Sequence, residues 1–340
     1  MVYKEILTKL TAHEELTEQE IFELIRSVNQ DEVSDVQIAG FQVALLMKGA
    51  SLREMASIAK AMRQNCIPLR PHVTEEMMDT CGTGGGQSTF NISTATAIVS
   101  AAAGIPIAKH GSRSISSLSG SADVLEALGV RIDLDVASVE KMIEEIQIAF
   151  IYAPLFHPVM CKVLPPEQDL GIKTIFYTII GPLINPAFAT RHLLGVYKPE
   201  LLDTVSYVAQ ELGYTDAMFV HGLDGMDEIS LLGATRINEL KNGRIRTFEI
   251  TPEEFGLARC SLADIRTGTP EENANTIRGV FSGKIAGPKR DAILLNTAGA
   301  LQIGGKACGF QEGLALAREL IDSGAAQKKL AQLCEMSHSF

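Results

Sequence analysis

Apolar positions recur at helical spacing through the first seventy residues of the chain. Thr17 to Glu20 and Ser51 to Glu54 have the form of capping boxes, and each precedes apolar residues three or four positions apart. The strongly apolar stretch Val36 to Met47 predicts a third helix between them. The proline-containing stretch 68–72 interrupts the pattern, so we predict a helical domain over residues 1–70.

From residue 73 onward, short apolar runs alternate with helical patterns. Helices are predicted over 137–146 and 201–212, and strands over five runs: Ile105–Ala108, Val130–Leu134, Ile148–Ala153, His192–Tyr197 and Ala217–His221. This alternation is typical of a mostly parallel α/β sheet. The KNGR sequence at 241–244 predicts a hairpin appended to that sheet.

The predicted fold class is therefore α/β, with a small N-terminal all-helical domain and a larger, mostly parallel α/β domain over residues 73–340. We expect part of 160–185 to join the helical domain. In parallel sheets ligands bind beyond the carboxyl ends of the strands. The polar loops of this chain follow predicted strands, so we expect the functional site at that edge.

Charge and composition narrow the function classes. The formal net charge of −11 argues against a general nucleic-acid binder, because such proteins neutralise phosphates with Lys and Arg. No apolar stretch reaches membrane-spanning length and the first residues are charged, so we expect a cytoplasmic protein with no membrane partner. The six cysteines lack CxxC spacing, which favours buried thiols over a zinc site or a disulfide framework.

A glycine-rich segment carries the clearest chemistry. Its backbone can approach a ligand closely and offer amide groups, and it consists of Gly82, Thr83, Gly84, Gly85 and Gly86. An Ala-rich helical run follows, and its start offers small polar side chains and free N–H groups at Thr89, Asn91, Ile92, Ser93 and Thr94. Taken alone, the glycines would be equally consistent with a tight turn that binds nothing.

A second polar segment strengthens the interpretation as an anion site. Lys109, His110 and Arg113 stand beside five serines, which are Ser114, Ser116, Ser117, Ser119 and Ser121. Positive charge and hydroxyl donors together suit a polyphosphate. Two such loops on one sheet edge predict a diphosphate site.

Adjacent carboxylates follow a predicted strand further along the chain. Asp224, Asp227 and Glu228 lie in the segment VHGLDGMDEIS. Read alone, this is either a solvated acidic turn or a site for Mg²⁺, which takes one or two carboxylates together with phosphate oxygens. A diphosphate site needs charge neutralisation, so we favour Mg²⁺.

These segments resemble the anthranilate phosphoribosyltransferase family along essentially the whole chain. The matching motifs are GTGG, TFNIST, KHG-R and SGSADVLEALG, followed by HPVM at 157–160, LGIKTIF at 170–176, GPLINPA at 181–187, HGLDGMDEIS at 221–230 and LLNTAGAL at 294–301. The resemblance implies phosphoribosyl diphosphate bound by the two loops and an aromatic amine as acceptor. It also implies a homodimer formed through the helical domain.

The family pattern further implies roles for individual residues. Asp227 and Glu228 would hold one Mg²⁺ and Ser93 a second, so that two ions are expected. The acceptor would lie against Gly82, Ser112, Glu167 and Gly181. No Cys–His or Ser–His–Asp arrangement is apparent, so we expect direct attack of the amine on a cation-like ribosyl carbon rather than covalent catalysis.

Lys109, Arg113 and backbone amides are predicted to stabilise the departing diphosphate. His110 is a candidate for taking the proton of the acceptor, because an imidazole titrates near neutral pH. A hydrogen bond from His110 to diphosphate is an equally consistent role. His157 and His221 are predicted to be structural.

The chain departs from the family pattern mainly on the acceptor side. Gly86-Gln87 replaces the usual Asp-Gly, Ser112 replaces Asn, and Glu167 stands where the family has the arginine that holds the anthranilate carboxylate. One extra residue lies between Phe176 and Gly181. Losing a charge-assisted bond costs roughly 1.5–3 kcal/mol, so anthranilate is expected to show a high KM or no turnover, and Glu167→Arg to improve its use.

Four interpretations of function remain open from the sequence. Phosphoribosyl transfer to anthranilate, in tryptophan biosynthesis, leads. Transfer to another aromatic or heterocyclic amine is the main variant, with Lys162 or Lys173 as possible replacements for the missing arginine. A nucleoside phosphorylase is disfavoured because Thr80 stands where that pattern has Lys, and a non-catalytic paralogue is disfavoured by retention of the Lys109, Ser93 and Asp227/Glu228 set.

Overall fold

Four helices open the chain in the computed structural model, which describes residues 2–114 and 118–340. They are α1 Val2–Thr11, α2 Glu18–Asn29, α3 Asp35–Lys48 and α4 Leu52–Gln64. The two predicted capping boxes begin α2 and α4, and a third, Ser34 with Gln37, begins α3. Each box satisfies free N–H groups at a helix start, which explains why these boundaries are readable from sequence.

A seven-stranded sheet forms the centre of the larger part of the molecule. Its strands are β1 Met78–Gly82, β2 Ile107–Gly111, β3 Ile148–Tyr152, β4 Arg191–Gly195, β5 Asp216–Gly222, β6 Thr235–Lys241 and β7 Arg244–Ile250. They lie in the order β3-β2-β1-β4-β5-β6-β7. The first five are parallel, whereas β6 and β7 form the expected antiparallel hairpin at one edge. The predicted fold class is confirmed.

One predicted strand was wrong and one strand was missed. Val130–Leu134 alternates buried and outward residues but forms no strand; its chain is instead fixed by contacts such as the Arg131 amide donating to Ser337 Oγ at 2.9 Å. The central strand β1 was missed, because its sequence MDTCG is polar while its Asp79 and Thr80 are fully buried. Burial of such residues depends on partners that lie far away in the chain.

Helices cover both faces of the sheet. Those after β1 are α5 Ile92–Ala102, α6 Ser121–Ala127, α7 Val136–Ile146, α8 Ala153–Phe156, α9 Pro158–Leu170, α10 Gly181–Leu183, α11 Leu202–Glu211, α12 Leu262–Ile265, α13 Pro270–Phe281, α14 Pro288–Ile303, α15 Phe310–Asp322 and α16 Ala325–Ser337. Short 3₁₀ turns occupy Pro199–Leu201 and Pro252–Phe255. Within the described ranges, no helix combines the length and apolar character needed to cross a membrane.

Two hydrophobic cores hold these layers together. One packs α5, α7 and the C-terminal helices against the sheet. The other joins α1–α4 to α9, to α11 and to a π-helical turn at Phe176–Ile180. Such a turn would accommodate the extra residue expected between Phe176 and Gly181, since a π-helix holds more residues per turn than an α-helix.

Candidate active site

A cavity of about 330 Å³ opens where the parallel strands end. The glycine loop follows β1, residues 112–114 and 118–120 follow β2, and the acidic segment follows β5, so all three polar segments reach the same edge. Most of the predicted site residues line this cavity: Gly82, Thr83, Gly84, Asn91, Ser93, His110, Ser112, Arg113, Ser114, Ser119, Ser121, Gly181, Asp227 and Glu228.

Other predicted site residues do not line the cavity. Ile92 and Thr94 are buried in the core of α5, so their side chains are unavailable to a ligand. Five further residues are also not among those that line it: Gly85, Gly86, Thr89, Lys109 and Glu167. Ser116 and Ser117 lie outside the described residues.

Asn91 ties the two anion loops together. Its Nδ2 donates to Ser119 O at 3.1 Å and its Oδ1 accepts from Ser119 Oγ at 3.0 Å. Asn273 Nδ2 adds a third bond to the same Oδ1, at 2.9 Å. These bonds fix the start of α5 against the second loop, so both loops can contact one ligand without first being ordered.

Arg113 is held at the cavity rim by two carboxylates. Its guanidinium donates to Asp123 at 3.1 Å and to Glu126 at 2.8 Å. The side chain is half exposed, so these pairs contribute little to stability and can exchange for a ligand phosphate. Asp123 also accepts from the backbone amides of Ser114 and Gly120, which sets the shape of the loop.

The carboxylate of Asp227 is packed into the glycine loop. A Cβ at Gly86 would lie 2.6 Å from Asp227 Oδ1, and one at Gly82 would lie 2.9 Å from Oδ2. A Cβ at Gly195, at the end of β4, would overlap the carbonyl oxygen of Asp227. Three glycines are therefore needed to seat one acidic loop, which was not foreseen from the sequence.

Asp227 and Glu228 form an anionic wall suited to a divalent cation. Burial raises the pKa of both carboxyls, and Asp227 raises that of Glu228 further. Thr89 Oγ1 donates to Glu228 Oε2 at 3.1 Å, and Ser93 lines the same cavity. Two adjacent half-buried carboxylates and a hydroxyl match the oxygen ligands that Mg²⁺ prefers.

Lys109 has a different environment from the one predicted. Its Nζ is buried and donates to Thr80 O at 2.6 Å, beside Asp79, whose pKa burial raises to about 6. Lys109 therefore acts as an internal charge below the loops. Asp79, Cys81 and His192 place three possible metal ligands within 4.8 Å of one another, but the ammonium of Lys109 disfavours a cation there.

His110 and His157 form a buried pair in the cavity wall. Their Nε2 atoms are 3.0 Å apart, so one ring donates and the other accepts. Burial lowers the pKa of His110 well below its usual range and that of His157 to about 4. Both rings are neutral at pH 7. The interpretation of His157 as only structural missed this contact, although the HPVM motif singled it out.

Comparisons with known proteins agree with this architecture. Residues 74–327 match the family model described as glycosyl transferase family, a/b domain, and residues 4–66 match its helical bundle domain. An anthranilate phosphoribosyltransferase of Acetivibrio thermocellus is 46% identical over 99% of this chain and 97% of its own. The chain belongs to the anthranilate phosphoribosyltransferase family.

Solved structures of the family share the fold. The anthranilate phosphoribosyltransferase of Thermus thermophilus superposes with a TM-score of 0.91 at 40% identity, over 98% of this chain and 99% of the other. The enzyme of Saccharomyces cerevisiae, solved with PRPP and Mg, gives a TM-score of 0.90 at 29% identity, over 99% and 98% of the two chains. PRPP is phosphoribosyl diphosphate.

The departure from the family pattern at Glu167 has a structural explanation. The carboxyl group is buried, where it accepts a hydrogen bond from Thr174 Oγ1 and another from Gln42 Nε2 at 3.4 Å. It faces the helical layer and not the cavity, contrary to the expectation that it meets the acceptor. The predicted repulsion between Glu167 and an acceptor carboxylate therefore does not arise.

We expect Glu167→Arg to destabilise the protein by about 3 kcal/mol without improving the use of anthranilate, because the guanidinium would be buried without a carboxylate partner. Urea unfolding and acceptor KM measure the two effects. Glu167→Gln is the matched control, since it keeps the hydrogen bonds without the charge. A gain in kcat/KM for anthranilate with Arg would show that position 167 reaches the cleft.

Neither proposed replacement cation enters the cavity. Lys162 Nζ donates to the carbonyls of Val28 and Asn29 and pairs with Asp31 at 2.7 Å. Lys173 is exposed and lies 6.0 Å from the ring of Tyr177. Tyr177 itself lines the cavity and was missed, although the extra residue after Phe176 was a signal that this wall differs.

Proposed function

We propose that this enzyme transfers the phosphoribosyl group of phosphoribosyl diphosphate to an aromatic amine, with anthranilate as the acceptor that its relatives name, and releases diphosphate. The observation that carries the proposal is that both anion loops and the Asp227/Glu228 pair line one cavity. This is the family's reaction in tryptophan biosynthesis, and we place it in the cytoplasm.

The loops supply most of the groups that meet the departing diphosphate. Arg113, Ser114 and Ser121 line the cavity, as does Ser93 in the first turn of α5. Donors fixed in advance stabilise negative charge as it develops on the leaving group. Gly84 and Gly85 adopt φ of +65° and +90°, a conformation that favours glycine and turns the loop towards the ligand.

Mg²⁺ is assigned to Asp227, Glu228 and Ser93, as two ions. When bound, the metal supplies positive charge at the diphosphate oxygens. The elevated pKa of both carboxyls supports this assignment, because neither carboxylate of this adjacent pair has an ion-pair partner among the described residues and a bound cation would favour their charged forms. Lys109 does not line the cavity, and its buried ammonium adds positive charge beneath the loops.

The histidine pair is suited to accept the proton of the acceptor. An aromatic amine becomes a strong acid once its nitrogen bonds to the ribosyl carbon, so a neutral imidazole is a sufficient base even with a lowered pKa. Because His110 and His157 are hydrogen-bonded to each other, a proton taken by one ring is shared with the second. Both rings lie beside the space left for the acceptor.

We also propose a homodimer formed through the helical layer. Four apolar side chains of α3 are exposed, with Val36 82% and Met47 76% accessible, and the others are Val43 and Leu46. A patch of this kind on one helix is typical of a surface that a second protein covers. A second copy of the chain is the occupant that the family implies.

Phosphoribosyl diphosphate with Mg²⁺ is expected to raise the unfolding temperature by about 5 °C at a hundredfold excess over Kd, since a ligand that binds only the native state stabilises it by mass action. Differential scanning fluorimetry measures the shift. Ribose 5-phosphate with Mg²⁺ is the matched control and should give a smaller shift, because it lacks the diphosphate. No shift at millimolar donor would remove the proposed function.

A further inference from the structure

Part of the cavity is lined by residues that belong to neither anion loop. Six residues, here called the acceptor wall, form it: Pro154, His157, Met160, Cys161, Leu164 and Tyr177. They come from α8, from α9, from the single residue between these two helices and from the π-helical turn. Their side chains are apolar, aromatic or weakly polar, so the wall suits a flat aromatic ring.

The acceptor wall carries no net charge. Its histidine is neutral at pH 7, because burial lowers the pKa of His157 to about 4. Among the cavity-lining residues of the described chain, Arg113 is the only Lys or Arg, and it lies on the second anion loop. Residues 115–117 are Ile-Ser-Ser in the sequence and add no cation.

Two charged side chains near the acceptor wall are bound to other groups of the protein. Lys162 is bound to Val28, Asn29 and Asp31, and the carboxyl group of Glu167 is enclosed by Gln42 and Thr174. A carboxylate on the acceptor would therefore lose water at this wall without gaining an ion pair. Burial of an unpaired charge is unfavourable, so charge on the acceptor gives little advantage here.

Tyr177 supplies the hydroxyl group of the wall. The π-helical turn buries Phe176 completely and leaves Tyr177 half-buried at the cavity. Its Oη would lie 3.9 Å from a Cβ at Gly84, which places the hydroxyl beside the glycine loop. Within residues 2–114 and 118–340 no hydrogen-bond partner occupies that hydroxyl.

We propose that the acceptor is positioned by the Tyr177 hydroxyl within an uncharged wall, so that neutral ortho-carbonyl anilines bind about as well as anthranilate. This inference rests on the proposed function for the identity of the cavity. A phenol O–H donates equally to the oxygen of a carboxylate or of a carboxamide. The wall therefore selects the ring and an ortho oxygen rather than a negative charge.

The first test compares two acceptors that are close in shape. Calorimetry on the enzyme saturated with Mg²⁺ and diphosphate gives the Kd of anthranilate and of 2-aminobenzamide, and turnover with phosphoribosyl diphosphate gives kcat/KM for each. The Kd values are expected to agree within about fivefold. A preference for anthranilate of more than thirtyfold would overturn the proposal.

The Kd values test the uncharged wall, whereas turnover tests the proposed transfer reaction. If both amines bind with similar Kd but neither is turned over, the inference about the wall stands and the proposed transfer reaction fails. If turnover occurs with anthranilate alone and its Kd is far the lower, the transfer reaction stands and the uncharged-wall proposal fails.

The second test removes the hydroxyl. Tyr177→Phe should raise the Kd and KM of both amines about five- to tenfold while leaving the KM of phosphoribosyl diphosphate unchanged. Tyr207→Phe is the matched control, because Tyr207 is also half-buried but packs in the helical core. Unchanged acceptor constants in Tyr177→Phe would contradict the positioning role.

Lys173→Gln tests the remaining source of charge. The ammonium of Lys173 lies over the Tyr177 ring. Its removal is expected to leave the ratio of the Kd values of anthranilate and 2-aminobenzamide unchanged. A selective loss of anthranilate binding by more than tenfold would show that Lys173 holds the carboxylate, which would overturn the proposal of an uncharged wall.

Discussion

Replacing Asp227 by Asn together with Glu228 by Gln is expected to lower kcat by roughly a hundred- to thousandfold, because neutral amides are poor ligands for a hard cation and the charge at the leaving group is lost. Steady-state kinetics across a Mg²⁺ titration measure this effect. The variant should also lose most of its dependence on Mg²⁺. Wild-type kinetics in the variant would show that the two carboxylates form only a buried turn.

The same double substitution is not expected to lower stability at pH 8, although it lowers kcat. Burial raises the pKa of both carboxyls, so the folded protein binds their protons more tightly than the unfolded chain does. The ligand-free protein should therefore lose stability as pH rises from the unfolded pKa values near 4 through the raised folded values. The double amide variant should show a shallower fall, with part remaining from Asp79, whose pKa is raised to about 6.

Urea unfolding at pH 5 and pH 8, without Mg²⁺, distinguishes loss of the metal ligands from a general loss of stability in the double amide variant. The variant should be at least as stable as the wild type at pH 8 and lose activity nonetheless. A variant that unfolds more readily than the wild type at both pH values would indicate that the carboxylates stabilise the fold rather than the ligand.

Gly195→Ala is expected to lower the free energy of unfolding by about 3 kcal/mol and to abolish most activity, because its Cβ would overlap the Asp227 carbonyl oxygen. Backbone, and not a flexible side chain, has to move. The acidic loop would then shift away from the glycine loop. Urea unfolding, turnover and Mg²⁺ titration measure the three consequences.

Gly309→Ala provides the matched control. Gly309 has an extended backbone that any residue adopts, and an added Cβ would meet nothing within 4 Å. Its substitution should cost at most about 1 kcal/mol, as for loss of a helix cap, and leave turnover unchanged. Equal behaviour of the two alanine variants would contradict the role assigned to close packing at Gly195.

The features that were predictable from sequence are those fixed by neighbouring residues. The capping boxes at Thr17 and Ser51 define helix starts within four residues, and the KNGR turn closes a hairpin between adjacent strands. The glycine and serine loops were recognisable for the same reason. Their convergence on one edge follows from the parallel strands that precede them.

The features that were not predictable depend on contacts between distant segments. Asp79 is tolerated in a central strand because Asn185 donates to it at 2.8 Å from 106 residues away. His157 reaches His110 only through the fold, and Glu167 is enclosed by Gln42, which belongs to α3. The spacing of residues along the chain does not indicate such pairs. A position such as 167, aligned with the family pattern, therefore does not by itself show which way its side chain faces.

Phosphoribosyl transfer can be measured directly. Purified protein is incubated with phosphoribosyl diphosphate, Mg²⁺ and anthranilate, and the products are measured by mass spectrometry with a parallel diphosphate assay. We predict a phosphoribosylated amine and diphosphate in a ratio of one to one, neither of which forms without Mg²⁺. Release of diphosphate without a phosphoribosylated amine, with anthranilate or 2-aminobenzamide as acceptor, would contradict the proposed transfer reaction.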